Sequence, residues 1–463
     1  MLLSDFMSLR RVWRALPVLA CFFACTMARA QRPESAGTFP EDMLPALKPI
    51  LETALRQSYQ VMAKQIELEQ SQARVYGADA LRLPNASGNL NFATNQTAIS
   101  SDNSTRTRDN GIFYSFGVSQ ALFHWGALKS EGDKARIGVL IAQKSYEEAR
   151  RTMAVALRRA YLELIVKKTA LRHMRYAREL TAADLKLAKE KRDTGAFSES
   201  DVGSRELNMK EVNLQSARAE IEFTGLRRSL SRLAGIAELA ESAIPDEIPS
   251  PKYSADATAA LLATVVRDGG RSTFQAQVAE LRLREADLNV RIARVRLLPK
   301  FGASLGVSQE STTNASATSV SQQAVSRQTL AVGAQWNVFD GFATKGAKLD
   351  ALASKRANEL QLKSVSEATV ETAQALAQQL DLDAQAMEMS AVRVVLAAAL
   401  VARMNTELAL GTIAQNSIDG ATLGLRQAEA TNAGARALFL SRWSEFASLI
   451  GADPVLNPST ARP

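Results

Sequence analysis

The chain of 463 residues is long enough for several hydrophobic cores, but only 6% of its residues are aromatic and its formal charge is +8. Alanine, leucine, arginine, glutamate, glutamine and serine dominate, a balance that favours long helices with small side chains at their contacts. The basic residues alternate with acidic ones along the helical stretches. This alternation indicates a solvated helix surface and argues against nucleic-acid binding.

The first thirty residues have the three parts of a secretory signal peptide. Arginines between positions 10 and 14 form the basic region, residues 15–26 form the apolar segment, and Ala28-Arg29-Ala30 is a small-x-small cleavage site. Lipidation at Cys21 or Cys25 is a weaker alternative, because the residues before each cysteine fit a lipid-attachment box poorly. The rest of the chain holds no cysteine and no run of eighteen apolar residues, so we expect neither disulfides nor a membrane-spanning helix.

The first helical pattern begins near Glu41, after a loose leader, and ends at Leu83-Pro84. It ends there because the residue before a proline is pushed out of the helical region. Two alternating segments, residues 86–95 and 112–123, then predict the strands of a hairpin. The polar, turn-rich residues 96–111 between them predict a water-exposed loop.

The same arrangement returns about 215 residues later. A helical stretch from Ala255 ends at Leu298-Pro299, and residues 300–309 and 328–339 alternate as strands. Residues 309–327 are again rich in Ser, Thr, Asn and Gln and predict a second exposed loop. A fixed long period of this kind indicates two copies of one unit.

All four predicted strands have one apolar face and one face of small or polar residues with almost no charge. This alternation favours a sheet with lipid on one side and water on the other. A four-stranded sheet packed on helices in a soluble domain is the alternative. The residues expected to face lipid are Leu90, Phe92, Ile112, Tyr114, Phe116, Val118, Phe301, Leu305, Val307, Leu330, Val332 and Trp336.

Four strands cannot close a barrel, because the smallest barrels have eight. An open edge in lipid would leave N–H and C=O groups without partners, so other copies of the chain must complete the sheet. Two copies would give eight strands and a filled interior, whereas three would give twelve strands and room for a channel. The strand pattern by itself predicts an oligomer and leaves the number of copies open.

Each second strand is followed by a very long stretch of helical composition that contains no proline. Gly195 in the first stretch and Gly411 in the second predict left-handed caps at the ends of long helices. Each copy therefore contains a long helical hairpin with a tight turn, over about residues 127–236 and 343–450.

The two turns also carry candidate starts for the return helices. Ser198 with Asp201 predicts a capping box in the first turn, and Thr412 with Gln415 predicts one in the second.

These patterns predict a mainly α-helical fold with a transmembrane β-barrel, built from a duplicated unit of helix, β-hairpin and long helical hairpin. The expected divisions are a signal peptide at residues 1–30, a first repeat at 31–250, a second repeat at 251–451 and a disordered tail at 452–463.

Residues suited to catalysis or metal binding are scarce. The two histidines, His124 and His173, have no cysteine near them, so neither a metal site nor a catalytic histidine is expected. The sequence also lacks glycine-rich phosphate-binding loops. We therefore expect no enzyme activity, no cofactor and no bound metal.

The order of these features resembles that of the TolC-like outer-membrane channel family. The resemblance rests on the Leu-Pro pairs before strands, on the strand ends Leu122-Phe123-His124-Trp125-Gly126 and Val338-Phe339-Asp340-Gly341, and on the turn at residues 195–202. It covers about residues 45–450, and the duplication and spacing carry it rather than any single motif.

The resemblance implies a homotrimer whose twelve-stranded barrel lies in the lipid of a Gram-negative outer membrane and continues into a helical tunnel across the periplasm. It implies a passive exit duct of a tripartite export system. A periplasmic adaptor (membrane fusion) protein would couple the duct to an inner-membrane pump of ABC or RND type. Type I protein secretion and multidrug or metal efflux both remain open, with the first turn slightly closer to members that serve protein secretion.

By the same resemblance, the two turns are periplasmic tips that close the duct and bind the adaptor. Phe197 and Ile413 are either adaptor contacts or staples packed inside the hairpins. Asp201 either joins an acidic ring at the pore constriction or caps the return helix, and Ser417 at the matching position weakens the case for a ring fed by both repeats. The proposed tip residues are Gly195, Ala196, Phe197, Ser198, Asp201, Val202, Gly411, Thr412, Ile413 and Ala414.

Trp125 and Trp336 lie at the periplasmic ends of strands, either as interfacial aromatics or as packing under the barrel. A periplasmic coiled-coil scaffold or adaptor without a membrane barrel is the alternative function. A secreted enzyme is a more distant one, for want of a site.

Overall fold

The computed structural model describes residues 39–99, 105–315 and 320–455. The predicted signal peptide, with Cys21 and Cys25, and the end of the predicted tail lie outside these residues.

Three helices precede the first strand: α1 (Pro40–Met43), α2 (Leu47–Gln57) and α3 (Tyr59–Ala80). The sequence pattern predicted one continuous run here, and the chain interrupts it twice. Leu44 leaves the helical region, with φ −120° and ψ 80°, because it precedes Pro45. The second break is at Ser58, whose extended backbone (φ −63°, ψ 132°) separates α2 from α3.

The four strands form one antiparallel sheet in the order β1-β2-β3-β4. The strands are β1 (Asn85–Ile99), β2 (Thr105–Phe123), β3 (Lys300–Ala315) and β4 (Val320–Gln335). Strands β1 and β4 are the two edges, so the sheet of a single chain is open on both sides.

The polar segments that the sequence analysis assigned to loops are largely paired as strands. Thr97 pairs with Thr107 in the first hairpin, and Thr313 pairs with Gln322 in the second. The loop prediction was therefore wrong over most of residues 96–111 and 309–327. Antiparallel pairing uses backbone groups, and threonine is itself favoured in strands, so a polar segment without proline continues the ladder.

Six further α-helices of the described residues form the two helical hairpins and the segment that leads into β3. They are α4 (Ala127–Asp193), α5 (Glu199–Ala234), α6 (Ala255–Asp268), α7 (Phe274–Arg294), α8 (Ala343–Ala409) and α9 (Gln415–Leu449). Helices α4 and α8 both have 67 residues, which is about 100 Å of helix at 1.5 Å per residue. Each begins directly after a hairpin, so the strands and the long helices are continuous in the chain.

The helices form two layers that share α4 and α8. In one layer α3 packs against α4, α4 against α7, and α7 against α8. In the other, α5 packs against α4, α4 against α9, and α9 against α8. The outer helices are therefore α3 and α8 in the first layer, and α5 and α8 in the second.

The main hydrophobic core lies where short segments wrap around the middle of the long helices. Leu47 and Leu51 of α2 pack there with Leu162 of α4 and with Phe439 and Phe446 of α9, all at most 1% exposed. The segment between the repeats joins the same cluster through Ile244 and Ile248. We call this region, formed by α1, α2, residues 236–254 and residues 451–455 around α4 and α9, the belt.

Within the described residues, one helix, α8, holds an eighteen-residue stretch that is long and apolar enough to cross a membrane by composition alone. The stretch is mostly exposed in the single chain. Helices that pack against other protein pass the same test, so composition does not assign a membrane span to α8.

Candidate functional site: an open wall with a barrel sheet and two helical tips

The strand register places the apolar residues of all four strands on one face of the sheet. Phe92 pairs with Ile112 across β1 and β2, Val118 with Leu305 across β2 and β3, and Leu305 with Leu330 across β3 and β4. Residues paired in register point to the same side of a sheet. The face expected to contact lipid is therefore continuous from one edge of the sheet to the other.

This apolar face is uncovered in the single chain. The exposed fraction is 72% for Leu90, 75% for Phe92 and 78% for Leu330, and no helix of the described chain packs on these residues to form a core. A sheet in a soluble protein would bury such side chains, so either lipid or another protein surface must cover them. The opposite face pairs small residues, such as Gly117 with Gly306 and Ser119 with Ser304.

A β-bulge ends the pairing of β2 with β3. Ala121 pairs with Gly302 and Phe123 pairs with Phe301, so Leu122 is the extra residue of the longer strand. Bulges are common at the rims of barrels, where they bend a strand. Here the bulge brings the Phe123 ring to 6.5 Å from the Phe301 ring, at the end of the apolar face nearest to the helices.

Trp125 and Trp336, at the strand ends nearest to the helices, both bind the backbone of the turn that precedes β3. The indole N–H of Trp125 donates to Pro299 O at 2.7 Å, and that of Trp336 donates to Leu297 O at 3.0 Å. Their rings remain 42% and 60% exposed. The hydrogen bonds fix the rings at the junction of sheet and helices, where part of each side chain stays exposed.

The outer helices carry apolar residues that face no partner in the single chain. On α5 these are Leu207, Leu214 and Ile221, each more than half exposed and seven residues apart. On α8 a similar series with the same spacing is Leu382, Met389 and Leu396. A seven-residue apolar repeat is the pattern of a helix that packs along another helix.

The first tip has the geometry predicted from its sequence. Gly195 adopts φ +80°, and Ala196 N donates to Lys191 O at 2.8 Å, which closes α4 with a Schellman motif. Ser198 and Asp201 form a reciprocal capping box: Asp201 N donates to Ser198 Oγ at 3.2 Å, and Ser198 N donates to Asp201 Oδ2 at 2.9 Å.

The second tip closes α8 in the same way but lacks the predicted capping box. Gly411 adopts φ +72°, and Thr412 N donates to Glu407 O at 3.0 Å. The N-cap of α9 is Ala414, whose side chain cannot accept a hydrogen bond. The assignment of Thr412 with Gln415 was wrong, because Thr412 belongs to the end of α8, where its Oγ1 donates to Glu407 O at 2.8 Å.

The apolar tip residues are partly packed. Phe197 is half-buried, with its ring 5.1 Å from Lys191 Nζ and 5.4 Å from Arg205 Cζ, and Ile413 is also half-buried. Val202 and Ile418, at matching positions of the two tips, are buried with 4% and 6% exposure. The buried pair is therefore Val202 and Ile418, whereas Phe197 and Ile413 keep exposed surface.

The carboxylate of Asp201 is exposed and already engaged. Its hydrogen bonds from the side chain and the backbone N–H of Ser198 hold its pKa below the usual range. Asp201 therefore carries a negative charge at neutral pH while it caps α5. The structure brings together the predicted residues of the first tip in one closed turn.

The belt holds a buried ion cluster that the sequence analysis did not identify. Arg158, which is fully buried in α4, donates from Nε to Glu41 Oε2 at 2.9 Å and from Nη1 to Asp453 Oδ2 at 2.5 Å. Its guanidinium carbon lies 4.8 Å from the centre of the Phe39 ring. We call Arg158, Glu41 and Asp453 the terminal clamp, because they join both ends of the described chain to the middle of α4.

Asp453 is held in its charged form by this cluster. Burial alone would raise its pKa, but the bonds from Arg158, from Ser448 Oγ and from Val455 N–H outweigh burial and lower the pKa. No signal in the sequence pairs these residues, which are 117 and 295 positions from Arg158.

No group of three or more His, Cys, Asp or Glu side chains suited to a metal ion occurs among the residues that the structure describes. His173 lies on α4, where burial and the nearby Arg426 lower its pKa, so the ring is neutral at neutral pH. The imidazole is half-buried and packs against neighbouring side chains.

Comparison with known proteins identifies the fold and gives a family match for the first half of the chain. Residues 50–235 match the model of the outer membrane efflux protein family. The Campylobacter jejuni CmeC outer membrane channel shares 13% identity, with a TM-score of 0.69 over 91% of this chain and 90% of that one. No curated protein sequence matches significantly.

Two further structures have the same fold. A membrane protein from Pseudomonas aeruginosa is 15% identical, with a TM-score of 0.67 over 91% of this chain and 98% of that one. The outer membrane protein VceC from Vibrio cholerae is 15% identical, with a TM-score of 0.61 over 89% and 98%. The predicted fold class is confirmed: mainly helical, with four strands per chain that contribute to a barrel on a helical tunnel.

The family match over residues 50–235 and the shared fold over nine-tenths of the chain lead to one conclusion. The chain resembles the outer membrane efflux protein family in sequence over residues 50–235 and has the fold of solved outer-membrane channels over most of its length, which places it with proteins of the outer membrane.

Proposed function

We propose that this chain is the outer-membrane exit duct of a tripartite export system, acting as a homotrimer and as a passive conduit without enzyme activity. The observation that carries the proposal is that the sheet and both helix layers of a single chain end in elements with one unpaired side. The sheet ends in β1 and β4, the helix layer that contains α7 ends in α3 and α8, and the layer that contains α9 ends in α5 and α8.

Such a chain can be completed by head-to-tail contacts between copies. The two edges of the sheet differ, so β1 of one copy would pair with β4 of the next, and a closed ring leaves no edge strand. The apolar stripe on α5, with Leu207 and Leu214, would pack along the stripe on α8 of the neighbour, with Leu382 and Met389. One ring then closes the sheet and the helices together.

Three copies best suit a conduit. Three four-stranded sheets give twelve strands, whereas two give eight, and an eight-stranded barrel has an interior filled by side chains. The small residues on the non-apolar face, including Gly117 and Gly306, support a wide interior. The apolar face would then contact outer-membrane lipid, and its assigned residues remain a proposal with this ring.

We infer that the tips bind a periplasmic adaptor, which couples the duct to an inner-membrane pump. Phe197 and Ile413 support this role, because they keep exposed apolar surface beside the buried Val202 and Ile418. The exposed, ionised Asp201 is the candidate for an acidic ring at the constriction. Since Ser417 stands at the matching position, the acids would come from the first repeat alone, one from each copy.

Three measurements on the purified full chain test the exit duct. We expect that detergent is required to extract the protein from the envelope, that its mass is three times that of one chain, and that it gives unit conductance in planar bilayers. Release into the soluble periplasmic fraction without detergent would instead support a coiled-coil scaffold without a barrel.

Cysteine crosslinking tests the tips separately. The sequence after residue 30 has no cysteine, so Phe197→Cys and Ile413→Cys each place one thiol in a clean background. We expect a crosslink to a periplasmic protein at one or both tips, whereas Ser229→Cys, on α5 far from the tip, gives none. Failure at both tips in cells that still export would remove the adaptor assignment.

A further inference from the structure

A recess of about 670 Å³ lies in the helix layer formed by α3, α4, α7 and α8. Its lining includes Tyr59 and Phe274, which begin α3 and α7, Thr152 of α4, and Val365 of α8. We call it the wall recess. Its volume is in the range of pockets that bind small organic molecules, which is about 300–1,000 Å³.

The wall recess lies on a different side of α4 from the belt. Tyr146 and Arg150 of α4 face a second recess that includes Glu41 and Pro454 of the terminal segments. Ser145 and Thr152 line the wall recess instead, because the helical periodicity places them on a different side of α4 from Tyr146 and Arg150. A belt inside the proposed ring of helices would fill the conduit, so we place the belt outside that ring and the wall recess, on another side of α4, towards its interior.

The exposed surface of the wall recess is largely apolar, and two aromatic side chains contribute to it. Tyr59 is 86% exposed, and Phe274, Val278 and Val365 are partly exposed in the single chain. Tyr59 and Phe274 occupy matching positions of the two repeats, 215 residues apart. Aromatic side chains offer a broad contact surface for the apolar body of a ligand.

The charge of the wall recess is positive once its ion pairs are considered. Glu148 is held by Arg151 through two bonds of 2.6 and 2.7 Å, so its negative charge is already compensated. Lys64 pairs with Glu67 at 2.8 Å. Arg282, which also lines the recess, is exposed and has no ion pair or hydrogen bond to any other residue of the described ranges. Its guanidinium is therefore available to an anion.

We propose that the wall recess is a transient cargo site selective for amphipathic organic anions, with an aromatic or hydrocarbon body and one anionic group. The body would lie against Tyr59 and Phe274, and the anionic group would bind Arg282. This inference rests on the exit duct proposed above, and it adds a class of cargo to it.

Equilibrium dialysis of the purified full chain in detergent tests the site, with protein-free micelles as the blank. The probe is naphthalene-2-sulfonate, and 2-naphthylmethylammonium is its cationic counterpart. We expect the sulfonate to bind more tightly than the ammonium. Arg282→Gln should weaken sulfonate binding about tenfold, since a hydrogen bond to a charged group is lost. Phe274→Ala, which removes no charge, should weaken it as well.

Arg284→Gln is the matched control. Arg284 lies two residues further along the same helix, pairs with Glu280 at 2.6 Å, and does not line the wall recess. It should leave sulfonate binding unchanged, and circular dichroism verifies that all variants are folded. Binding that is equal in the wild type and in Arg282→Gln, equal for the two probes, or absent above the micelle blank would overturn the proposal.

Conductance of the same preparation separates this inference from the duct. If the protein conducts but does not bind the sulfonate in this way, the proposed exit duct stands and the proposed cargo site is overturned. If the protein binds the sulfonate but does not conduct, the proposed exit duct is overturned, and the proposed role of the wall recess in export fails with it.

Discussion

At the residue scale, the guanidinium of Arg158 joins segments that are far apart in the chain. It binds Glu41 of α1 and Asp453 after α9, and it covers the ring of Phe39. A buried ion cluster of this kind is not by itself strongly stabilising, because desolvation opposes the attraction. Its physical role is to specify one position for both ends of the chain against α4.

Arg158→Met should lower the free energy of unfolding by about 3–5 kcal/mol, because it leaves two buried carboxylates without their cationic partner. Urea titration of the detergent-solubilised protein, followed by circular dichroism, measures this. Arg159→Met, an exposed neighbour on the same helix, is the control and should change little. Adding Glu41→Gln and Asp453→Asn to Arg158→Met should restore most of the loss. A single variant as stable as the wild type would show that the cluster is dispensable.

The terminal clamp also predicts a dependence of stability on pH. The pKa of Asp453 is lower in the folded protein than its ordinary value, so the folded state binds fewer protons there than the unfolded chain. The stabilisation is complete above the ordinary aspartate pKa of about 3.9 and is lost as the pH falls through the lower folded value. Urea titrations at decreasing pH should show this loss, with a shallower decline for Asp453→Asn. Parallel declines in the two proteins would contradict it.

At the element scale, the two hairpin tips show how similar turns are closed by different local bonds. Both tips use a glycine with positive φ and a Schellman motif. Only the first return helix has a side-chain cap, because Ser198 of the first repeat is replaced by Ala414 in the second. The first turn of α9 therefore lacks a stabilising contact that α5 has.

Ser198→Ala should destabilise the first turn of α5 by about 1 kcal/mol through loss of the cap. Hydrogen exchange of the amides of residues 200–202 should become about five times faster, and Ser200→Ala, which removes no cap, is the control. In the second tip, Ala414→Ser should slow exchange at the start of α9. Unchanged exchange in Ser198→Ala would mean that the capping box does not stabilise the turn.

The two faces of the sheet predict opposite effects for one substitution. Phe92→Arg places a charge on the apolar face and should cost about 2–4 kcal/mol near the bilayer midplane. Asn91→Arg, one residue earlier and on the other face, should be tolerated. The amount of folded trimer in outer-membrane fractions measures both. Equal tolerance of the two variants would show that the apolar face does not contact lipid.

At the scale of the whole molecule, the open edges make assembly part of the fold. The exposed stripes on α5 and α8 and the exposed apolar face of the sheet leave much apolar surface uncovered in one chain. Burial of this surface is the main favourable term that a ring of copies would add.

Leu207→Gln combined with Leu214→Gln should shift the assembly from trimer towards monomer. Each leucine contributes about 1.5–3 kcal/mol if it is buried between copies, and the loss recurs at every interface of the ring. Light scattering after size-exclusion chromatography measures the mass of the assembly. The double variant Leu207→Met with Leu214→Met keeps the apolar surface and should remain a trimer. A trimer that persists with both glutamines would place the interface elsewhere.

Much of this fold was determined by local sequence features. The period of two in the strands, the long stretches without proline, and the glycines Gly195 and Gly411 each act within a few residues, so the sequence alone reveals the elements and their duplication. The errors were also local in origin. The loop prediction overlooked that polar segments with threonine can continue a strand ladder. Thr412 was assigned to the start of α9, although it closes the end of α8.

Tertiary structure decided what distant residues do together. The terminal clamp, the order of helices in each layer and the wall recess join residues from separate parts of the chain, as when Arg158 meets Asp453 295 positions away. No periodicity or local spacing encodes such contacts, because they depend on how complete helices pack. The sequence therefore specified the elements and their repeat, and packing specified the buried charges and the surfaces left for other copies.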